Sequence, residues 1–233
     1  MNERVIVALD VPHAEAALGL VDRIGPACGF YKVGLELFAA AGPAVVASLR
    51  ERRKHVFLDL KLHDIPNQVA GAVARAGEIG VTFLTVHAMG GRDMLAAAAG
   101  AASASLTLLG VTVLTSLDPP GLGAVFGRRV DDAGAEADRL ARMVRDVGLG
   151  GVVCSAAEAE RVRRTIGPGP FIVTPGIRPA GAPVHDQHRV RTAGEAFAAG
   201  ATHIVVGRPV TGAPDPAAAF HRIASRARAA REG

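Results

Sequence analysis

The chain has 233 residues, 49% of them hydrophobic, which is enough to bury a sizeable core in one domain and excludes an intrinsically disordered class. Its formal charge is +4, but the 26 basic residues are interleaved with 22 acidic ones, so no basic tract marks it for nucleic acid or a membrane surface. Cys28 and Cys154 are the two cysteines and carry no metal-ligand spacing, and no apolar run approaches the roughly 18–20 residues of a membrane span, so a reduced, soluble, cytoplasmic protein is expected.

Residues 1–4 lead straight into the first of eight short β-branched runs, without the pattern of a signal peptide. Strands are predicted at 4–9, 30–34, 55–61, 83–87, 107–114, 151–154, 171–174 and 203–207. Ala-rich amphipathic helices are predicted at 14–24, 37–53, 67–78, 92–102, 136–147, 157–165, 192–198 and 216–231. Eight such units predict an α/β fold, a (β/α)8 TIM barrel with residues 1–233 as one catalytic domain. An open doubly wound sheet fits the same alternation, but no Gly-rich dinucleotide fingerprint follows the first strand. In a closed barrel the reactive groups lie at the carboxyl ends of the strands.

The first strand ends at Asp10, which by itself reads as a helix cap ahead of Val11-Pro12. Lys32 on the second strand reads equally as a snorkelling surface lysine or a site cation. The third strand is the most informative, because His55-Val56-Phe57-Leu58 runs on into Asp59-Leu60-Lys61-Leu62-His63-Asp64-Ile65-Pro66. Alternation directs Asp59 and Lys61 to one face, and Pro66 suits the first turn of a helix, leaving Asp64 in the loop between. A structural ion pair with Asp64 capping the helix is the plain alternative. Against it, charges aimed into a barrel lose several kcal/mol of hydration unless paired, and active sites are where such clusters concentrate.

Further along, residues 115–132 and 175–191 form long Gly- and Pro-rich loops after the fifth and seventh strands, candidates for closure over a substrate. Thr174-Pro175-Gly176-Ile177-Arg178 and Gly207-Arg208-Pro209-Val210 end the last two strands, where barrels commonly bind phosphate through glycine N–H groups and an arginine fork. The eight histidines form no metal pair, and His185 and His188 sit in a polar loop, so no metal site is predicted and solvated or capping histidines are the default; His63 reads just as easily as support for the main motif. Alternating Ala and Arg over 220–231 predicts a terminal helix with a solvated face rather than a nucleic-acid site.

Together these segments resemble the bacterial type of orotidine 5'-phosphate decarboxylase over nearly the whole chain. Ala8-Leu9-Asp10, Lys32-Val33-Gly34, the stretch from Phe57 to Pro66, Leu114-Thr115-Ser116, Val152-Val153-Cys154-Ser155, Thr174-Pro175-Gly176-Ile177-Arg178, Asp186-Gln187 and Val206-Gly207-Arg208 occur in that family's order. The resemblance implies a homodimeric barrel that converts orotidine 5'-phosphate to UMP and carbon dioxide without metal or organic cofactor, completing pyrimidine nucleotide synthesis. It implies that Lys61 protonates the ring carbon, flanked by Asp59 and by Asp64 of the partner subunit, with Lys32 completing the array. Asp10 would bind the ribose, Thr115 the nucleotide near the base, and Arg178, Gln187, Gly207 and Arg208 the phosphate, while Ile65 would reach across the dimer interface. One position departs from the pattern: Gln68 stands where the family carries threonine.

The nearest enzymatic alternative is the magnesium-dependent branch of decarboxylases and aldolases acting on sugar phosphates, which shares the Asp-x-Lys-x-x-Asp core. That branch has an acidic metal ligand where this chain has Lys32, and it lacks the Ile65-Pro66 continuation. A non-catalytic barrel that binds nucleotide or an anionic polymer is the other alternative, suggested only by a pI of about 9.7.

Overall fold

The computed structural model describes residues 4–178 and 191–232. Eight strands, β1 (Val5–Ala8), β2 (Phe30–Val33), β3 (His55–Leu62), β4 (Phe83–His87), β5 (Thr107–Val111), β6 (Gly151–Val153), β7 (Phe171–Thr174) and β8 (His203–Val206), pair in parallel in sequence order. β8 pairs back onto β1 with Ile6 opposite Val205, so the sheet closes into a barrel. The open doubly wound alternative is therefore excluded, and the (β/α)8 expectation holds.

Around it lie α1 (Ala14–Ile24), α2 (Leu35–Ala41), α3 (Pro43–Glu51), α4 (Pro66–Glu78), a 3-10 turn (Ala88–Gly90), α5 (Gly91–Ala101), α6 (Pro119–Phe126), α7 (Ala133–Asp146), α8 (Ala159–Ile166), α9 (Ala193–Ala198), α10 (Arg208–Thr211) and α11 (Pro216–Glu232). The single helix expected over 37–53 is two. Gly42 ends α2 at φ 57, with its N–H on the Phe38 carbonyl at 2.8 Å, and Pro43 opens α3 at a position that needs no N–H. The loop expected over 115–132 contains α6, capped by Asp118, whose carboxylate accepts the Gly121 N–H at 2.9 Å, and closed by Gly127 in the left-handed region.

Alternation along the strands divides the core in two. Ile6, Ala8, Phe30, Phe57, Phe83, Leu109, Val173 and Val205 fill the barrel interior, while Val5, Val7, Leu9, Val33 and Leu84 face outward into the layer shared with the helices. Phe30, Phe83, Phe171 and His203 pack with ring centroids 5.1 to 6.1 Å apart. These rings belong to the amino-terminal half of the barrel, so it is filled, and only the carboxyl mouth is left for a ligand. Outside, Gly110 of β5 lets α7 come close: a Cβ there would lie 2.3 Å from Val144 Cγ2.

The ladder between β3 and β4 is irregular where the main motif falls. Leu58 pairs with Leu84 and Leu62 with Val86, so Asp59, Leu60 and Lys61 stand opposite Thr85 alone. This is a bulge, and Lys61 occupies it at φ 50, a left-handed conformation rare for a residue with a side chain.

Candidate active site

Four charged side chains from three neighbouring strands form a row at the carboxyl mouth. Asp10 follows β1, Lys32 lies on β2, and Asp59 and Lys61 lie on β3. The Lys32 ammonium donates to Asp10 Oδ1 at 2.9 Å and sits 3.6 Å from Asp59 Oδ2; the Lys61 ammonium donates to Asp59 Oδ1 at 2.9 Å. Signs alternate along the row, so each charge has an opposite neighbour and the desolvation cost of crowding them is offset by pairing. The side chains of Lys32 and Asp59 are only 11% and 13% exposed. Burial by itself raises the Asp59 carboxyl, but the charges of Lys32 and Lys61, with hydrogen bonds from Lys61 and Thr85, outweigh it and hold the group below its ordinary range. Asp59 is thus an anion locked between two cations.

The expectation that Asp59 and Lys61 share a face is met, but not by strand alternation. The bulge turns the Lys61 backbone, and Thr85 secures it: the Lys61 N–H donates to Thr85 Oγ1 at 2.8 Å, and that hydroxyl donates to Asp59 Oδ1 at 3.0 Å. Thr85 was not among the residues singled out in the sequence. Its signal is an inward-facing polar position two residues after Phe83, easily read as an ordinary strand threonine. The helix-cap alternative for Asp10 does not hold, since His13 caps α1 by accepting the Ala16 N–H at 3.3 Å. Nor does the snorkelling alternative for Lys32, whose ammonium is enclosed rather than solvated.

The row opens on a cavity of about 410 Å³. Val111, Val113, Val153 and Val205 supply its apolar walls, and Thr115 and Cys154 line it after β5 and β6. Pro175, Gly176, Ile177 and Arg178 border it after β7, and Gly207, Arg208, Pro209 and Thr211 after β8. Arg178 is buried, and its backbone N–H donates to the Arg191 carbonyl at 3.0 Å, while Ile177 forms a β-bridge with Arg191. Gln187, with His185 and His188, lies outside the described residues. A Cβ on Gly207 would come no nearer than 3.7 Å to other atoms, so the chain's own packing does not demand glycine there.

Asp64 and Ile65 are not brought to this cavity. Both are exposed, the Asp64 carboxylate accepts the Ile65 N–H at 2.7 Å, and α4 begins on Ile65 without a side-chain cap, so the capping alternative for Asp64 fails as well. His63 lies against His87, ring centroids 5.5 Å apart and planes 23° from parallel. Burial first, then the charges of His63 and Lys61, lower His87 to about 4, so it is neutral at physiological pH. Among the described residues no three His, Cys, Asp or Glu side chains are grouped to hold a metal ion, and no helix is long and apolar enough to cross a membrane.

The profile of the orotidine 5'-phosphate decarboxylase / HUMPS family matches residues 3–223. The chain belongs to that family. A relative named orotidine 5'-phosphate decarboxylase from Anaeromyxobacter sp. (strain K) is 51% identical over 224 residues, covering 96% of this chain and 98% of the relative. One of the same name from Moorella thermoacetica is 49% identical over 234 residues, covering 96% and 92%. The crystal structure of orotidine 5'-phosphate decarboxylase from Lactobacillus acidophilus superposes with a TM-score of 0.84 at 36% identity, covering 97% of this chain and 99% of that one. The protein is accordingly an enzyme, and its relatives' names are those of carboxy-lyases. In this member of the orotidine 5'-phosphate decarboxylase family, Gln68 is exposed on α4, with its N–H on the Ile65 carbonyl at 3.0 Å.

Proposed function

We propose that the protein decarboxylates orotidine 5'-phosphate to UMP and carbon dioxide in the cytoplasm, the last step of pyrimidine nucleotide synthesis, without metal or organic cofactor. The observation that carries this reading is the Lys61 ammonium held 2.9 Å from an ionised, buried Asp59 at the mouth of the barrel. Loss of carbon dioxide from an aromatic ring carbon leaves a localised carbanion, and with no electron sink the protein must meet that charge directly. Lys61 supplies a fixed positive charge as the C–C bond breaks and then a proton to the ring carbon. Asp59 holds and aims the Lys61 ammonium through their hydrogen bond, and Lys32 helps keep Asp59 ionised. Because the row is held by its own ion pairs and hydrogen bonds, little reorganisation is needed in the transition state.

The phosphate belongs at the rim after β7 and β8, where Arg178 and Arg208 line the cavity beside Gly207; a phosphate role for Gln187 rests on the family resemblance alone. Asp10, at the open end of the row, takes the ribose, and Thr115 the nucleotide near its base. Asp64 and Ile65 serve a neighbouring site in a homodimer. Supporting this, Asp64 lies outside its own cavity, and the apolar side chains of Ile65 and Leu35, 64% and 59% exposed, lack cover within the chain. The sugar-phosphate branch is the second reading, and Lys32 speaks against it by putting a cation where a magnesium ligand is needed.

Loss of ultraviolet absorbance from orotidine 5'-phosphate in excess EDTA, with Lys61→Ala measured alongside, tests the proposal. Turnover by the native enzyme and none by a folded Lys61→Ala is expected. Turnover that appears only when magnesium is restored would move the assignment to the sugar-phosphate branch, and none under either condition to a binding role.

A further inference from the structure

The Thr85 hydroxyl makes two hydrogen bonds whose directions are forced. A peptide N–H can only donate, so Oγ1 accepts from Lys61; an ionised carboxylate can only accept, so the hydroxyl proton goes to Asp59. The Asp59 oxygen that takes this proton, Oδ1, also takes the Lys61 ammonium. Thr85 therefore holds Lys61 at both ends, its backbone directly and its head through Asp59. The side chain is fully buried and does not line the cavity, so it touches no substrate.

This matters because Lys61 sits where a strand should not bend. At φ 50, inside a bulge, its N–H is turned out of the regular ladder with β4. An orphaned buried N–H would drive the segment back toward regular pairing, and the one-residue shift of side-chain direction would carry the ammonium away from the cavity. We infer that Thr85 is a positioning residue, whose hydroxyl holds the left-handed bulge of β3 and so aims the Lys61 ammonium at the reacting carbon. The turnover part of this inference rests on the decarboxylase reading; the geometry of Lys61 does not.

The test compares Thr85→Val, which keeps shape and loses both hydrogen bonds, with Thr85→Ser, which keeps the hydroxyl. Thr85→Val is expected to lower kcat on orotidine 5'-phosphate by on the order of ten- to a hundredfold, the loss of one or two hydrogen bonds to a charged network. UMP affinity should change by less than about threefold, because the phosphate rim is untouched. The acid limb of kcat/KM should move to higher pH, since Asp59 loses a hydrogen bond that favours its ionised form while Lys32 on β2 and Lys61 on β3 still face it, with Asp10 beyond Lys32 and His87 beyond Lys61. Thr85→Ser should recover most of the lost rate and the native acid limb. A folded Thr85→Val with kcat within about twofold of native and an unmoved limb overturns the inference. If the native enzyme does not turn over orotidine 5'-phosphate, the decarboxylase reading fails instead, and the rate of Lys61 acylation by an amine-directed reagent, followed by mass spectrometry, decides the positioning role: equal rates in native and Thr85→Val overturn it. Should Thr85→Val not fold, Thr85→Cys, a weak donor of similar size, carries the same comparison.

Discussion

Asp59 draws its charge state from its neighbours. Asp59 is enclosed enough that burial alone would favour its neutral form, yet the two lysines beside it keep it ionised. Removing Lys61 leaves Asp59 with Lys32 and Thr85, so Lys61→Ala should stay folded and lose turnover by several orders of magnitude, read by circular dichroism and the absorbance assay together. Arg208→Ala acts differently. Arg208 lines the cavity after β8, at the rim proposed for the phosphate and away from the bond proposed to break, and remote binding energy is used for closure and orientation. kcat/KM should fall by at least about a hundredfold, far beyond what a surface arginine costs, and steady-state kinetics within error of native would remove Arg208 from the site. Legibility in the sequence follows the same division: the identities of Asp10, Lys32, Asp59 and Lys61 stand out as charges among apolar neighbours, whereas Thr85 is invisible because threonine is an ordinary strand residue until its partners are seen.

At the scale of elements, most boundaries follow periodicity, and the misses share a cause. Pro and Gly serve both as loop signals and as the start and stop of helices. Asp118-Pro119-Pro120 and Gly127 thus read as loop, although they cap and close α6, and Gly42-Pro43 hides a break inside one continuous apolar pattern. Packing between elements is tight where β5 meets α7. A methyl on Gly110 would fall 2.3 Å from Val144 Cγ2, and a β-branched side chain on a helix has one comfortable rotamer. Gly110→Ala should therefore lower stability by about 1–3 kcal/mol in urea unfolding, and the double variant with Val144→Ala should regain much of it. Additive losses in the double variant would show that the contact is not the cause.

The whole molecule stores a liability to acid in its barrel floor. His203 is wedged among Phe30, Phe83 and Phe171, and burial, with the charge of Arg4 second, lowers it to about 4. The unfolded chain takes up that proton near pH 6.5 and the folded one does not, so stability is complete above about 6.5 and is lost as pH falls toward 4. His203 should account for about 1–2 kcal/mol of lost stability between pH 7 and pH 5. His203→Leu should remove its share of that dependence in urea unfolding while His87, lowered likewise, keeps its own, and an unchanged pH slope would place the acid sensitivity elsewhere. The proposed homodimer is tested at this same scale. Lys61→Ala mixed with Asp64→Ala should regain part of the native activity through hybrid dimers in which one of the two sites is intact; strict inactivity of the mixture, with exchange shown by sedimentation, would mean that each site is built from one chain.

The sequence by itself determined the class of fold and the chemistry on offer, because both are local: strand and helix periods repeat eight times, and charges at strand ends are read directly from the chain. Closure of β8 onto β1 was decided only by tertiary structure, since it joins residues at opposite ends of the chain. So was the form of the active row. Alternation predicted that Asp59 and Lys61 would share a face, but a bulge brings them together, held by a hydroxyl 24 residues from Lys61 that no local pattern connects to it. Pairing across strands sets which polar groups meet, and the energies of those meetings, not the propensities of the residues, fix the position of the lysine on which the proposed chemistry depends.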